Sequence, residues 1–103
     1  MISRKTHRFL LACITLIVLL VGTTQAKSFR YVVIDPGHGG HDKGGNSGKV
    51  YEKHRALDTA LRLEYILKQR GISTKMTRRS DVFISLPRRV AIGKRYSRSI
   101  FVS

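Results

Sequence analysis

A short apolar run that stops abruptly constrains the fold of this chain more than any other feature. Tyr31 to Ile34 is continuously apolar and rich in β-branched side chains, without the alternation of a strand that has one face in water. Such a run is typical of a strand buried on both faces, usually at the centre of a parallel sheet. Asp35-Pro36-Gly37 ends the run, because proline lacks an amide donor and glycine permits a positive φ. The segment therefore predicts a central strand that is followed directly by a loop.

Helical and strand patterns alternate after this loop. From about His54 to Arg70, apolar residues recur at helical spacing, and Gly71 is placed to cap the end of the helix. Ile72 to Thr77 alternates like a second strand. Ser85 can cap a second helix that runs to about Ser97, and Ser99 to Ser103 begins a third strand. This order predicts an α/β fold, an open and mostly parallel sheet with helices on both faces in three layers. We expect the chain to be truncated after the third strand.

The first 26 residues have the pattern of a secretory signal peptide. Three basic residues within the first eight positions precede an apolar run from Phe9 to Gly22, and Thr24-Gln25-Ala26 places small residues at the −3 and −1 positions of a cleavage site. As a helix, the run would be about 21 Å long, which is short for a hydrocarbon core of about 30 Å. We predict a signal peptide at 1–26, a domain at 27–103, no transmembrane span in the mature form, and export to the periplasm or cell envelope. An uncleaved anchor is the alternative.

Composition excludes several classes of chemistry and partner. The only cysteine, Cys13, lies in the apolar run, so the mature chain has no disulfide, thiol nucleophile or cysteine metal ligand. Without the three basic residues of the leader, 17 lysines and arginines face six acidic residues. This excess predicts salt-dependent attraction to envelope polyanions or anionic lipid headgroups, or simply a solvated basic face. Nucleic acid is not an expected partner, because the cations are not interleaved with aromatic residues.

The glycine-rich segment from Asp35 to Gly45 lies where open α/β sheets bind ligands. It is not a dinucleotide-binding loop, because Asp42 stands where the third glycine of that motif belongs. It is not a phosphate-binding loop either, because no glycine in it precedes a Lys-Ser or Lys-Thr pair.

A metal site fits the same segment better. His38 leaves the first strand between glycines, and Glu52 follows 14 residues later, just before the first helix. One histidine and one carboxylate are two of the three protein ligands of a His₂Glu catalytic zinc site, which leaves the fourth position to water. Asp35 could orient a ligand imidazole. The alternative is that His38 is an ordinary turn residue.

The segment Val32-Val33-Ile34-Asp35-Pro36-Gly37-His38-Gly39-Gly40 resembles the opening motif of the zinc-dependent N-acetylmuramoyl-L-alanine amidases. The resemblance covers essentially all of residues 30–103, although Gly93-Lys94 departs from the Ala-Asn of that family. It continues in order and at matching spacing through Glu52-Lys53, Met76-Thr77-Arg78 with Asp81, Leu86 with Arg89 and Ala91, and Ile100-Phe101-Val102-Ser103.

The resemblance implies a Zn²⁺ enzyme that cleaves the amide between N-acetylmuramic acid and the L-alanine of the stem peptide in peptidoglycan. His38 and Glu52 match the first two zinc ligands. The third ligand and the catalytic glutamate would lie beyond Ser103, so this chain alone is not expected to be active. A partner chain could supply the missing strands and ligand, and an activator protein is another possible partner. His41 and His54 match no ligand position, and His41 is the better placed spare ligand. The alternative function is a non-catalytic exported protein that binds the cell wall or another polyanion.

Overall fold

The computed structural model describes residues 1–20 and 28–103. The predicted cleavage site at Thr24-Gln25-Ala26 lies outside these residues, so the signal-peptide boundary stays a prediction. None of the helices in the described ranges is long and apolar enough to cross a membrane. The elements are α1 (Arg4–Leu20), β1 (Tyr31–Ile34), β2 (Asn46–Ser47), β3 (Val50–Tyr51), α2 (Glu52–Gln69), β4 (Ser73–Met76), α3 (Leu86–Lys94) and β5 (Ser99–Val102).

The main sheet has three parallel strands in the order β4-β1-β5. In the central strand, Val33 lies opposite Lys75 of β4 and Phe101 of β5. Val32, Val33 and Ile34 are buried, as an unbroken apolar run at the centre of a parallel sheet should be. The prediction of a central parallel strand is confirmed.

The helices cover both faces of this sheet. Ala60 of α2 packs with Val32 and Ile34 in one buried cluster. Val33 and its register partner Phe101 point to the opposite face, because alternate residues of a strand point to opposite sides. On that face lies α3, where a β-carbon on Gly93 would be 2.8 Å from the Phe101 ring. The predicted α/β fold with an open, mostly parallel sheet is confirmed, and Gly93 leaves room for Phe101.

The C-terminus of α2 follows the prediction for Gly71. Gly71 has a φ of 73°, its N–H donates to the Lys68 carbonyl at 3.0 Å, and the Ile72 N–H donates to the Leu67 carbonyl at 3.0 Å. These two bonds form a Schellman motif, which ends the helix by satisfying its last carbonyl groups. Gly71 is therefore confirmed as the stop of α2.

Two local predictions were less accurate. Ser85 occupies the N-cap position of α3, but its side chain makes no capping hydrogen bond, and α3 ends at Lys94, before the predicted end at Ser97. The antiparallel pair β2–β3 was not predicted. Strands of two residues are too short to show a period in the sequence.

Glu64 is a buried carboxylate on the sheet-facing side of α2, only 5 % exposed. Both of its oxygens lie 2.8 Å from Nη1 of Arg79, and Oε1 also lies 3.0 Å from Nζ of Lys68 and 3.3 Å from the hydroxyl of Thr74. Led by the hydrogen bond from Arg79, these contacts lower the pKa of Glu64 to about 2, although burial acts in the opposite direction. The ionised form of Glu64 therefore joins α2 to β4 and to the segment after it.

We expect the folded domain to lose stability as the pH falls from the ordinary pKa of glutamate, 4.5, to about 2. Because the pKa is depressed in the folded state, the unfolded chain binds more protons in this window, and the stabilisation is complete only above it. Glu64→Gln should lower the free energy of unfolding by about 1–3 kcal/mol near neutral pH. It should also reduce the loss of unfolding free energy between these two pH values, which we call the acid limb. Urea titrations at several pH values, followed by circular dichroism, measure this loss.

The matched control is Asp58→Asn, which removes an exposed carboxylate of the same helix that forms an ion pair with Arg62 at 3.0 Å. This control should leave the acid limb almost unchanged. An acid limb of wild-type steepness in Glu64→Gln would contradict the assignment and point to another carboxylate.

Candidate metal centre

The loop after β1 presents His38 at the carboxyl edge of the sheet. Gly37, Gly39 and Gly40 have φ values of 66°, 115° and 58°, and His38 itself has a φ of 45°. The left-handed conformation costs a residue with a β-carbon about 1–2 kcal/mol, so surrounding contacts must hold His38 there. Gly39 cannot be replaced without movement, because a β-carbon would overlap the carbonyl oxygen of Val82.

Glu52, the first residue of α2, is held by the same loop. The N–H groups of Glu52 and Lys53 donate to the carbonyls of Gly45 and Lys43, at 2.8 and 3.2 Å. Loop carbonyls thus satisfy the first N–H groups of α2, for which no side chain provides a cap. The Gly45 N–H in turn donates to Oε2 of Glu52 at 2.8 Å. This hydrogen bond is the largest of the effects that lower the pKa of Glu52, which favours the ionised form that binds metals.

The two predicted ligands lie side by side. Nε2 of His38 is 3.4 Å from Oε1 of Glu52. Two ligand atoms of one tetrahedral zinc ion, each about 2.0–2.1 Å from the metal, are roughly 3.3 Å apart, so the observed separation suits a shared zinc. Gly44 packs against both side chains, since a β-carbon there would be 2.7 Å from Oε2 of Glu52 and 2.9 Å from Cδ2 of His38. Only glycine at this position leaves both donors in place.

Asp42 binds the other nitrogen of the His38 ring and was not selected from the sequence. Nδ1 of His38 lies 3.0 Å from Oδ2 and 3.1 Å from Oδ1 of Asp42. A carboxylate at Nδ1 favours the tautomer that carries its proton there, which leaves the lone pair of Nε2 free for a metal. The bond from His38 also lowers the pKa of Asp42. The only sequence signal for this role was an acidic residue four positions after His38 in a turn-forming segment.

Asp35 lies beneath the loop and not against the His38 ring. Its Oδ1 accepts from the Thr77 hydroxyl at 2.5 Å and from Nη1 of Arg89 at 2.6 Å, and its Oδ2 accepts from the Ser103 hydroxyl at 3.3 Å. Burial raises the pKa of Asp35, but the hydrogen bonds from Thr77 and Arg89 outweigh it and lower the pKa below its usual value. The carboxylate that orients His38 is Asp42, and a role for Asp35 toward another imidazole stays a prediction.

A buried arginine of α3 holds the backbone of His38. Arg89 is 4 % exposed, and its Nη2 donates to the carbonyl of His38 at 2.6 Å. Nη1 donates to Oδ1 of Asp35 at 2.6 Å and Nε donates to the carbonyl of Ile84 at 2.8 Å. The planar guanidinium thus joins the end of β1, the loop and the segment before α3, and it fixes the unusual backbone conformation of His38.

Two further cations hold the loop from the other side. Arg78 is also buried, and its Nε and Nη2 donate to the carbonyl of Gly37 at 3.0 and 2.8 Å. Nζ of Lys53 donates to the carbonyl of Gly40 at 2.9 Å and to Oδ2 of Asp81 at 2.6 Å. Three carbonyls of the loop, at 37, 38 and 40, therefore accept hydrogen bonds from buried, positively charged side chains. We call these three side chains the cation frame: Lys53, Arg78 and Arg89.

The remaining histidines of the domain lie apart from this pair. The exposed His41 ring packs on Phe83 with 4.1 Å between centroids, and the His54 ring is 6.1 Å from Tyr51. Within residues 1–20 and 28–103, no group of three histidine, cysteine or acidic side chains is arranged to hold a metal ion. The described residues thus bring together two side chains that could bind a metal, His38 and Glu52, on a loop held by the cation frame.

Sequence comparisons agree on one family. A family model described as N-acetylmuramoyl-L-alanine amidase matches residues 32–103. The chain is 41 % identical over 83 residues to the N-acetylmuramoyl-L-alanine amidase AmiA of Salmonella typhimurium, a match that covers 79 % of this chain and 28 % of AmiA. It is 43 % identical over 68 residues to the probable cell wall amidase LytH of Staphylococcus aureus, covering 63 % of this chain and 23 % of LytH. The chain spans about a quarter of the length of these curated relatives.

Solved structures extend this similarity to the backbone. The catalytic domain of CwlV, an N-acetylmuramoyl-L-alanine amidase from Bacillus (Paenibacillus) polymyxa var. colistinus, aligns with a TM-score of 0.60 and 43 % identity, over 65 % of this chain and 39 % of that chain. The N-acetylmuramoyl-L-alanine amidase AmiC2 of Nostoc punctiforme aligns with a TM-score of 0.66 and 40 % identity, over 74 % of this chain and 42 % of that chain.

Proposed function

This chain belongs to the N-acetylmuramoyl-L-alanine amidase family, and on that basis we propose that His38 and Glu52 are zinc ligands of a peptidoglycan amidase. The observation that carries the proposal is the 3.4 Å separation of Nε2 of His38 and Oε1 of Glu52, inside the segment that matches the family. The bond cleaved is the amide between N-acetylmuramic acid and L-alanine. The protein acts after export, in the cell envelope.

The donor set suits zinc. Imidazole nitrogen and carboxylate oxygen are both ligands in catalytic zinc sites, which use three protein ligands and leave the fourth position to water. A zinc ion held there would polarise the scissile carbonyl and lower the pKa of its water. The third protein ligand and the catalytic glutamate, both predicted from the resemblance to lie beyond Ser103, stay predictions.

Neighbouring residues of this chain hold the two candidate ligands in position in the absence of substrate. Asp42 holds Nδ1 of His38, so Nε2 faces the site as an acceptor. Gly45 holds one oxygen of Glu52 through its N–H group, which leaves Oε1 facing His38. Both donors therefore need little rearrangement to bind a metal, and preorganisation of this kind is how a protein gains affinity and rate from its fold.

A chimera tests the proposal in a complete catalytic domain. Residues 32–103 would replace the matching segment of the CwlV catalytic domain, and release of stem peptides from purified peptidoglycan would be measured through the newly exposed L-alanine amino groups. We expect release that stops on removal of zinc with a chelator and returns when zinc is added. A chimera that folds and retains zinc but leaves peptidoglycan intact would overturn the proposal. The chain by itself should bind zinc weakly.

Asp42→Asn should weaken zinc binding by about 10- to 100-fold, the usual effect of removing a carboxylate that orients a ligand histidine. The asparagine side chain is uncharged and has one oxygen where the Asp42 carboxylate has two. It therefore favours the tautomer with its proton on Nδ1, and a free lone pair on Nε2, less strongly. Competition with a chromogenic chelator measures the affinity in the chimera. Asp58→Asn, an exposed acid on α2, serves as the control and should change nothing. Equal affinities in both variants would remove Asp42 from the site.

A further inference from the structure

The six acidic side chains of the chain all lie within the described residues, and each is paired with a basic or imidazole side chain. Since the chain carries 20 lysines and arginines, many of those within the described residues have no acidic partner. The acidic residues and their partners are Asp35 with Arg89, Asp42 and Glu52 with His38, Asp58 with Arg62, Glu64 with Arg79 and Lys68, and Asp81 with Lys53.

Cations and tyrosines lie near the start of β1 and β5, where Lys94 lines a depression together with Tyr96 and Arg98 and where the side chain of Lys75 reaches from within β4. The Arg30 N–H donates to the carbonyl of Arg98 at 2.7 Å, which joins the residues that precede β1 and β5. The rings of Tyr31 and Tyr96 are 5.4 Å apart, and Nζ of Lys75 lies 5.5 Å from the centre of the Tyr96 ring. The four cations of this group are exposed. We call these residues the amino-edge surface: Arg30, Tyr31, Lys75, Lys94, Tyr96 and Arg98.

The backbone of Arg98 is a second, independent observation. Its φ is 54°, in the left-handed region that residues other than glycine rarely adopt. Glycine or asparagine would occupy this position with less strain, and strained backbone in native proteins is concentrated at functional sites. Beside this surface, a depression of about 470 Å³ between α2 and β4 is lined by Tyr31, Ser73 and Lys75 among others. The edge therefore offers both charge and a recess.

We propose that the amino-edge surface binds the anionic phospholipid headgroups of a membrane. Arginine and lysine near an anionic bilayer each strengthen binding by about five-fold, and here no carboxylate neutralises them. Tyrosine is enriched at the level of lipid headgroups, because one end of its ring is apolar and the other is polar. Phe29, 46 % exposed and next to Arg30, adds an apolar side chain. A glycerol-phosphate polymer would gain from the cations but has no apolar layer to take up Phe29 and the rings, so a bilayer is the better partner.

The position of the amino-edge surface in the fold determines how a bound chain is oriented relative to the membrane. Because β1 is parallel to both neighbours, all three strands begin at the amino edge, and His38 follows the opposite end of β1. A membrane bound at the amino edge therefore leaves the loop with His38 and Glu52 facing away from the bilayer. The inference goes beyond the proposed function and requires neither a metal nor catalysis.

Vesicle binding by the full chain tests the inference. Sedimentation with vesicles of equimolar phosphatidylcholine and phosphatidylglycerol is compared with vesicles of phosphatidylcholine alone. The leader, which carries Arg4, Lys5 and Arg8, is the same in every variant, so its contribution cancels when variants are compared. The triple variant Arg30→Gln, Lys75→Gln, Arg98→Asn should weaken the binding that depends on anionic lipid by about 100-fold, three factors of about five. The matched control removes three exposed cations at the opposite edge, Lys49→Gln, Arg55→Gln and Arg88→Gln, and should lose far less.

Three outcomes would overturn the inference. Equal losses in the two triple variants would show that only net charge matters. Equal binding of the wild-type chain to both kinds of vesicle would show that anionic headgroups are not recognised. If the chain were retained on a glycerol-phosphate polymer but did not bind anionic vesicles, the partner would be a polymer and not a membrane. Circular dichroism of both variants confirms that the comparison is between folded proteins.

Discussion

His38→Ala or Glu52→Ala in the chimera should reduce release of stem peptides by more than about 100-fold, beyond the 10- to 100-fold typical of residues that only orient a ligand. Each substitution removes one of two donors that face each other at 3.4 Å. With one donor missing, zinc should be lost along with activity, so the zinc content of the purified protein must fall in parallel. Metal analysis and the release assay on the same samples measure both effects.

His41→Ala is the matched control for these two variants. His41 stands three positions after His38 in the same loop, but its ring packs on Phe83 and does not join the donor pair. Activity and zinc content should therefore remain near those of the unmodified chimera. If His41→Ala removed zinc while His38→Ala retained it, His41 would be the ligand and the assignment of His38 would be wrong.

Arg89→Ala should lower the free energy of unfolding by about 3–5 kcal/mol, the usual effect of removing one partner of a buried ion pair. The substitution leaves the charge of Asp35 buried without its ion-pair partner and leaves the carbonyl of His38 without its donor. The left-handed backbone of His38 then loses the contact that holds it, so zinc affinity should fall as well. Urea unfolding of the full chain and zinc titration of the chimera test the two effects.

Arg89→Lys separates a positioning role from a general effect on stability. Lysine keeps the charge, but it cannot reach both Asp35 and the His38 carbonyl with the geometry of a guanidinium. Zinc affinity of the folded protein should therefore fall in this variant. Arg79→Lys, at an arginine that also binds a buried carboxylate but lies away from the loop, should reduce stability without changing zinc affinity. Equal zinc affinities in the two lysine variants would show that Arg89 has no role in positioning His38.

Several elements were predictable because the information lies within a few neighbouring residues. The unbroken apolar run of β1, the glycine that ends α2 and the helical spacing between them are local patterns, and the structure confirms each of them. The donor pair was predicted as well, because the glycines around His38 and the position of Glu52 at the start of a helix place both at the same edge of a sheet. Two-residue strands and a serine without a capping bond were missed or misjudged, since the local signal is weak in both cases.

The sequence by itself determined the order of the elements and the parallel arrangement, and it placed His38 and Glu52 at the same edge of the sheet; their role as zinc ligands stays a prediction. Tertiary structure alone decided what holds those donors in place. Arg89 and His38 are 51 positions apart, and Arg78 and Gly37 are 41 positions apart. Such contacts depend on the register of β1 with β4 and on the packing of α3 against the sheet, and no local period encodes either. A contact between a buried cation and a backbone carbonyl cannot be predicted from the sequence. Every residue has a carbonyl group, so no particular residue type marks the partner.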